Sequence, residues 1–351
     1  MSTTPIVDLA CPVLLTSHDT VLLGHGSGGK LSNDLVRDVF VPAFGSTELA
    51  RLDDQAVVHV NESRIAITTD SYVVRPLFFP GGDIGSLAVH GTVNDLAVGG
   101  ATPLYLTAAF ILEEGLAMDV LRRVVCSMSE AARKAGVRVV AGDTKVVERG
   151  KADSLFINTT GIGTVASEID LSAARARPGD KVLLSGPIGE HGITILAQRE
   201  GLEFESVIES DSAPLHTLCA DMLRAAPGIQ CMRDLTRGGL SSAIHEIAAQ
   251  SRVGVELEER AIPVREEVRG ACEMLGLDPL YVANEGKLIA IVAPESASAV
   301  LSAMRKHHLA RRAEIVGTVT DAHRGLVTMR TLLGTSRVVD MLAGDQLPRI
   351  C

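Results

Sequence analysis

The apolar residues of the first half of the chain alternate between strand-like and helix-like spacing. Five apolar runs predict strands, at 56–60, 64–69, 104–112, 137–141 and 155–165. The run at 137–141 is expected to be a buried strand. Three further patterns predict helices, at 31–40, 85–99 and 117–135. The last of these helices is predicted to stop at Gly136, because glycine tolerates the left-handed conformation that ends many helices.

The second half of the chain repeats the alternation of strands and helices. Strands are predicted at 181–185, 229–233, 253–258, 287–293 and 312–320. Helices are predicted at 190–200, 211–226, 238–250, 264–275 and 295–308. Mixed strands and helices in both halves predict an α/β or α+β fold.

A junction at 176–180, which contains Pro178 and Gly179, separates the two halves. A chain of 351 residues also favours two domains. We therefore predict four segments: an N-terminal arm with a Gly-rich loop at 1–45, a first domain at 46–170, a second domain at 178–335 and a mobile tail at 336–351.

Composition narrows the function classes. The net charge of −10 argues against a nucleic-acid surface, and no run of 18 apolar residues predicts a membrane span. The N-terminus has no basic segment followed by an apolar core, so secretion is not expected. Six cysteines without a close pair argue against a zinc site or a disulfide framework. These features favour a cytoplasmic enzyme.

A Gly-rich loop is the first candidate for chemistry. Gly26, Ser27, Gly28 and Gly29 would let backbone N–H groups approach phosphate oxygens, and Lys30 would add positive charge. The spacing is not that of a P-loop, and a flexible linker explains the same residues.

Carboxylates at strand and loop ends are the second candidate. Asp70, Asp83, Asp95 and Asp143 offer the hard oxygen ligands that Mg²⁺ prefers. Asn94 and Asp95 stand in an apolar helix, where a polar pair is costly to bury without partners. The alternatives are turn or cap roles for the single aspartates and an internally bonded pair for Asn94-Asp95.

Three further motifs carry charged residues beside predicted strands. Lys145 follows Asp143 by two residues and would hold a phosphate, carry a proton or simply be a solvated lysine. Asp234 and Arg237 precede a glycine pair and a helix, as an ordinary strand–helix junction also would. Glu285 leads into an apolar strand as a general base or a turn carboxylate.

The last residue, Cys351, places a thiol beside the terminal carboxylate. Pro348 disfavours a helix running into this end, and chain ends are mobile unless docked. A mobile thiol could travel into and out of a site, whereas an isolated terminal cysteine could equally be an ordinary exposed thiol.

These motifs together resemble those of the aminoimidazole-ribonucleotide synthetase, or PurM-like, superfamily, which includes selenophosphate synthetase and thiamine-monophosphate kinase. The resemblance covers essentially the whole chain and looks most specific to the hydrogenase-maturation members. The shared segments are HGSGGK at 25–30, TD at 69–70, NDLAVGGATP at 94–103, DLTRGG at 234–239, NEG at 284–286 and PRIC at 348–351.

The resemblance implies a two-domain PurM-like fold, an ATP·Mg²⁺ site in the N-terminal domain covered by the C-terminal domain, and a homodimer with a shared barrel. The residues it implies for the nucleotide are Gly26, Ser27, Gly28, Gly29, Lys30, Asn94, Asp234 and Arg237. For the metal, the four carboxylates already named, Asp70, Asp83, Asp95 and Asp143, are the candidate ligands.

The resemblance also implies a reaction sequence. A partner, HypF, would place a carbamoyl group on Cys351, and ATP would phosphorylate its oxygen. Loss of a proton and phosphate would leave a thiocyanate, with Lys145 and Glu285 as candidates for moving the amide proton. The cyanide would pass to iron on the HypC–HypD complex.

Two other functions are alternatives to this reaction. A small-molecule kinase or synthetase such as selenophosphate synthetase would need a reactive cysteine near the N-terminus, where Cys11 is the candidate but has no flanking lysine or glycine loop. A non-enzymatic ATP-sensing scaffold is the other.

Overall fold

The computed structural model describes residues 20–202, 207–342 and 350–351. The first part of the predicted arm, with Cys11, and the tail segment with Pro348 lie outside the described residues.

The N-terminal unit follows the predicted alternation, with a π-helical turn between its first two helices. Its elements are α1 (Lys30–Leu35), α2 (Val41–Phe44), β1 (Ala56–Val60), β2 (Ser63–Tyr72), β3 (Phe78–Phe79), β4 (Gly82–Asp83), α3 (Ile84–Val98), β5 (Ala101–Glu113), α4 (Met118–Lys134), β6 (Arg138–Val147) and β7 (Leu155–Val165).

One five-stranded sheet, in the order β1-β2-β7-β5-β6, supports this unit. Neighbouring strands are antiparallel except for β5 and β6, which are parallel. Helix α3 packs on one face of the sheet and α4 packs against α3. Twelve of the residues of α3 are buried, because the helix also contacts α6 and β9 of the second unit.

The C-terminal unit is built on a second, larger sheet. Its elements are β8 (Lys181–Leu184), α5 (Glu190–Glu200), α6 (His216–Ala225), β9 (Ile229–Asp234), α7 (Gly239–Ser251), β10 (Gly254–Glu258), α8 (Glu266–Leu275), β11 (Leu288–Val292), α9 (Pro294–Lys306), β12 (Glu314–Thr320), β13 (Val327–Arg330) and β14 (Ser336–Val339).

The seven strands of this sheet run in the order β14-β13-β10-β12-β8-β11-β9. All five residues of β11 are buried, because its side chains enter apolar clusters on both faces of the sheet. The cluster on one face includes residues of α7, and the cluster on the other includes residues of α6 and α9.

The structure confirms the predicted α/β class and corrects several elements. Strand β6 is exposed along almost its whole length, so the prediction of a buried strand at 137–141 is wrong. The reason is its position at the edge of the first sheet. The helix predicted from 211 begins at His216. Strand β14 lies in the segment predicted as a mobile tail and pairs with β13.

No helix among the described residues combines the length and apolar character that a membrane crossing needs.

A buried glycine in α3 gives a direct test of the packing. A Cβ at Gly91 would lie 2.3 Å from the hydroxyl oxygen of Tyr72, which is buried and bonded to Asp70. We expect Gly91→Ala to lower the free energy of unfolding by about 1–3 kcal/mol, because an overpacked core cannot relax fully. Urea denaturation monitored by circular dichroism measures the change.

Gly270 in α8 is the matched control. A Cβ there meets no described atom within 4 Å, so Gly270→Ala should be neutral or stabilising by up to about 1 kcal/mol. Equal urea midpoints for the two variants would contradict this account of the α3 packing.

Candidate active site

The C-terminal dipeptide is docked against β2 and the loop that follows it. The backbone N–H of Val73 donates to the Cys351 carbonyl oxygen at 3.0 Å, and Ile350 forms an antiparallel bridge with Val74. Ile350 is only 6% exposed and belongs to an apolar cluster that includes residues of both units. The end of the predicted mobile tail therefore occupies a defined place in this structure, since an apolar side chain anchors it.

The Cys351 thiol lies among charged side chains. Arg237, Glu285 and Asp70 are the charged groups that influence its protonation. Burial, and then Glu285 and Asp70, raise the pKa of this thiol, while Arg237 opposes the rise. The docked cysteine is thus held mainly as a thiol beside one guanidinium and two carboxyl groups.

Glu285 is suited to proton transfer. Its side chain is 2% exposed, and Oε1 has no hydrogen-bond partner among the described residues. Burial, and then the carboxyl groups of Asp234, Asp211 and Asp70, raise the pKa of Glu285 well above its ordinary value. A carboxyl group with a raised pKa beside a reacting atom can act as a general acid or base near neutral pH.

Four carboxyl groups gather behind this site. Burial raises the pKa of Asp95 and Asp234 well above the ordinary range, and that of Asp54 to about 6. Neighbouring carboxylates, including Asp70, also raise the pKa of each of these three aspartates. Asp234 Oδ2 has no hydrogen-bond partner among the described residues. A buried cluster of like charges with a free oxygen fits a divalent cation chemically.

The distances between these carboxyl groups decide whether they can hold the cation. Within the described part of the chain, no group of three or more metal-ligating side chains is close enough to hold an ion. Asp54 was not singled out from the sequence, although an aspartate pair directly before β1 was a usable signal. Its Oδ1 lies 3.0 Å from Nε of Arg233.

The structure separates two of the predicted metal ligands from the other two. Asp83 caps the N-terminus of α3, accepting from the N–H groups of Gly85 at 2.8 Å and Ser86 at 3.1 Å. Asp95 stands near the other end of this helix, about 18 Å away at the helical rise. The two aspartates therefore cannot share one ion within this chain.

Asp143 and Lys145 lie on the edge strand β6, three strand spacings from β2, which is about 14 Å. Their side chains are 66% and 73% exposed, and their charged atoms are 3.8 Å apart. One chain alone therefore does not bring Lys145 to Glu285, and the proton role of Lys145 stays a prediction.

Asn94 makes three hydrogen bonds with backbone groups of the C-terminal unit, and its predicted contact with a nucleotide stays a prediction. Its amide nitrogen donates to the carbonyl oxygens of Ala213 at 3.1 Å and Glu285 at 3.2 Å. Its oxygen accepts from the N–H of Leu215 at 2.7 Å. The side chain thereby ties α3 to two segments of the C-terminal unit.

The Gly-rich loop contacts the motif that contains Arg237. The Arg237 guanidinium donates to the Gly26 carbonyl oxygen at 3.2 Å, and a Cβ at Gly28 would lie 2.7 Å from Arg237 Cβ. The side chain of Lys30 is exposed. Beside the loop is a cavity of about 410 Å³, whose lining includes Gly28, Asp54 and Thr68. Its volume suits a small-molecule ligand.

The family comparisons agree with this architecture. The N-terminal domain model of the AIR synthase related proteins matches residues 52–165, and the C-terminal domain model matches residues 177–330. The chain therefore belongs to the AIR synthase related proteins. The resemblance stated from the motifs is confirmed.

Within the AIR synthase related proteins, this chain belongs with the HypE carbamoyl dehydratases, as its more similar relatives show. The carbamoyl dehydratase HypE of Azotobacter vinelandii is 58% identical over 333 residues, which cover 95% of this chain and 97% of that protein. A crystal structure of the hydrogenase maturation protein HypE in complex with ATP matches with a TM-score of 0.80 at 50% identity, covering 95% of this chain and all of that chain. A HypE–HypF complex matches with a TM-score of 0.84 at 47% identity, covering 88% and 99%.

The carboxylate cluster predicts a pH-dependent stability. A carboxyl group whose pKa is raised on folding binds protons more tightly when folded, so the unfolding free energy falls as pH rises. The loss begins above the ordinary value of 3.8 and, for Asp54, is complete above about 6. We expect Asp234→Asn to stabilise the metal-free protein at pH 8 by about 1–2 kcal/mol, and by less at pH 5.

Thermal unfolding at both pH values, with and without MgCl₂, measures this effect. Mg²⁺ should stabilise the parent protein at pH 8 and the Asp234→Asn variant much less. The exposed aspartate control, Asp321→Asn, should stay within about 0.5 kcal/mol of the parent. A parent protein that Mg²⁺ leaves unchanged at pH 8 would speak against a cation in the cluster.

Proposed function

We propose that this chain is an ATP-dependent carbamoyl dehydratase that converts a carbamoyl group on Cys351 into a thiocyanate, the source of the cyanide ligand of [NiFe]-hydrogenases. The observation that carries the proposal is the docking of the C-terminal dipeptide at the end of β2, where Glu285 and Arg237 are among the groups that influence the Cys351 thiol. The identity of 58% to a carbamoyl dehydratase supports the same reaction.

ATP makes the dehydration feasible. The oxygen of a thiocarbamate is a poor leaving group, and its phosphorylation turns it into phosphate, which leaves readily. The cavity beside the Gly-rich loop is our proposed nucleotide site, with Gly28 and Arg237 near its phosphates. The HypE–ATP complex supports ATP as the ligand.

Mg²⁺ is the proposed cation of the carboxylate cluster, with Asp54, Asp70, Asp95 and Asp234 as its candidate ligands, although no three of them are close enough in this structure to hold an ion. When bound, the ion would neutralise charge on the phosphates during transfer. This assignment keeps Asp70 and Asp95 from the sequence prediction, adds Asp54 and moves Asp234 from the nucleotide to the metal.

Glu285 is the proposed base of the elimination step. It takes the proton remaining on the imidate nitrogen as the C–O bond to phosphate breaks and the C≡N bond forms. Burial of the carboxyl group strengthens it as a base, because a raised pKa means tighter proton binding. Arg237 lies where it can balance negative charge near the sulfur and the departing phosphate.

Two partners complete the reaction sequence that we propose. HypF would supply the carbamoyl group, which the HypE–HypF complex among the similar structures supports. The HypC–HypD complex would accept the cyanide. The cytoplasmic location predicted from the sequence stays a prediction. A cysteine docked beside a buried glutamate does not support a selenophosphate-synthetase-like activity or a scaffold role.

Replacing the proposed base should separate binding from chemistry. We expect Glu285→Gln to bind ATP with near-normal affinity but to form nitrile at least about 100-fold more slowly, because general-base catalysis is worth this much. Mass spectrometry of the C-terminal peptide, after incubation with HypF, the carbamoyl source and ATP, follows loss of one water from the carbamoylated peptide.

Two cysteine variants are the controls for this measurement. Cys351→Ser should form no nitrile, whereas Cys126→Ser, which removes an exposed cysteine elsewhere, should react like the parent. Nitrile on another cysteine, with Cys351 unmodified, would refute the assignment of the carrier.

We also propose that the chain forms a homodimer through the first sheet. Edge strand β6 exposes Val140 at 53% and Val146 at 66%, next to Lys145. An exposed apolar edge strand is a surface that natural proteins usually cover. A second chain here would bury this edge and remove Lys145 from solvent.

Charge on that strand should dissociate the dimer. We expect the double variant Val140→Lys and Val146→Lys to halve the mass measured by light scattering at micromolar concentration. Val338→Lys is the control, since Val338 is 57% exposed on β14 at the edge of the other sheet. A parent protein that is already monomeric would contradict the homodimer.

A further inference from the structure

A buried histidine contacts the docked C-terminus. His191 on α5 is fully buried, and its Nε2 lies 2.6 Å from the Ile350 carbonyl oxygen. On the other side of the ring, Nδ1 lies 2.7 Å from the hydroxyl of Ser210. The ring also meets Phe79 edge-on, with 5.6 Å between ring centroids. Packing and hydrogen bonds thus fix the ring at both ends.

The hydrogen-bond partners determine which nitrogen carries the proton. A carbonyl oxygen can only accept, so Nε2 donates to Ile350. The Ser210 oxygen accepts from the N–H of Ser212 at 3.2 Å, which leaves its hydroxyl proton free to be donated to Nδ1. The result is a chain of hydrogen bonds from the Ser212 backbone through Ser210 and His191 to the C-terminus. Burial lowers the pKa of His191, in agreement with this neutral ring.

The segment that contains Ser210 also holds the loop that carries Glu285. Asp211, the residue after Ser210, accepts from the N–H groups of Glu285 and Gly286, both at 3.2 Å. Its carboxylate also pairs with Nζ of Lys287 at 3.0 Å. Two neighbouring residues therefore position the two reacting partners: Ser210 acts through His191 on the tail, and Asp211 acts on the loop of Glu285.

We propose that His191, oriented by Ser210, is a positioning residue that latches the C-terminal dipeptide in the site and so controls when the Cys351 sulfur faces Glu285. The latch is a hydrogen bond to a backbone carbonyl, so it is independent of what the sulfur carries. It can thus hold the free thiol, the carbamoylated sulfur and the thiocyanate alike. The purpose of the latch rests on the proposed dehydratase function, whereas its existence does not.

The latch can be tested without ATP or a carbamoyl donor. The variants are His191→Leu, which keeps an apolar side chain but loses the donor, and His191→Gln, whose amide nitrogen can replace Nε2. Alkylation by iodoacetamide is followed peptide by peptide in the full-length protein. Cys126 is exposed and serves as the internal standard in every sample.

We expect His191→Leu to raise the alkylation rate of Cys351 about tenfold relative to Cys126, since a buried hydrogen bond commonly shifts an equilibrium by this factor. His191→Gln should restore most of the protection. Ser210→Ala, which leaves His191 in place, should give a smaller rise and provides the test if His191→Leu does not fold. Unchanged ratios in both His191→Leu and Ser210→Ala would overturn the latch.

Nitrile formation from protein carbamoylated beforehand tests the purpose of the latch. His191→Leu should form nitrile about tenfold more slowly than the parent, and His191→Gln should recover most of the rate. Faster alkylation with an unchanged nitrile rate would overturn the positioning role. If the parent itself forms no nitrile, the proposed function fails, while the alkylation ratios still decide whether the latch exists.

Discussion

The side-chain amide of Asn94 is the contact on which the arrangement of the site depends. It stands in α3, inside the N-terminal unit, yet all three of its hydrogen bonds go to the C-terminal unit. One of them holds the carbonyl oxygen of Glu285, and the neighbouring Asp95 belongs to the carboxylate cluster. A single buried amide therefore sets the distance between the proposed metal site and the proposed base. Because a buried polar group without partners is costly, the two units are held in one alignment.

The pKa values of the buried carboxyl groups near this contact are shifted in two opposite directions. Burial alone would raise the pKa of Asp211, but the ammonium group of Lys287 and the hydrogen bond from the Glu285 N–H reverse the effect and lower it. Asp234 and Glu285 form no salt bridge among the described residues, and burial outweighs the opposing effects of Arg233 and Arg237, so their pKa values are raised. The paired carboxylate stabilises a loop, whereas the unpaired ones keep capacity for a proton or a metal ion. The position of one lysine thus separates structural from reactive carboxylates.

The sequence was sufficient for the family and the order of most elements, and it also indicated Cys351 and Glu285, whose roles stay predictions. It could not place residues across the sheet, because strand order is set by long-range pairing. Asp83 and Asp143 look as suitable for Mg²⁺ as Asp70 in a linear pattern, and only the fold shows that one caps α3 and the other lies on an edge strand. His191 belongs to no recognisable sequence motif, because its proposed role depends on the C-terminus lying beside α5 in the fold. Strand β14 was missed because a short, exposed edge strand resembles a polar tail.

A carrier cysteine at a chain end places opposite demands on its docking. Tight docking would orient the sulfur for dehydration but would prevent loading and delivery by other proteins, and loose docking would leave the reactive group open to water. Within residues 350–351, the described end of the tail, the docking contacts are few: the buried side chain of Ile350, a hydrogen bond from the Val73 N–H to the Cys351 carbonyl oxygen and a hydrogen bond from the His191 side chain to the Ile350 carbonyl oxygen. Such a small set of interactions stabilises the docked state by only a few kcal/mol, roughly the sum of one buried aliphatic side chain and two hydrogen bonds before the entropy of ordering the tail is subtracted. An equilibrium of that size can be shifted by a bound partner, because a ligand need only prefer one state by a similar amount.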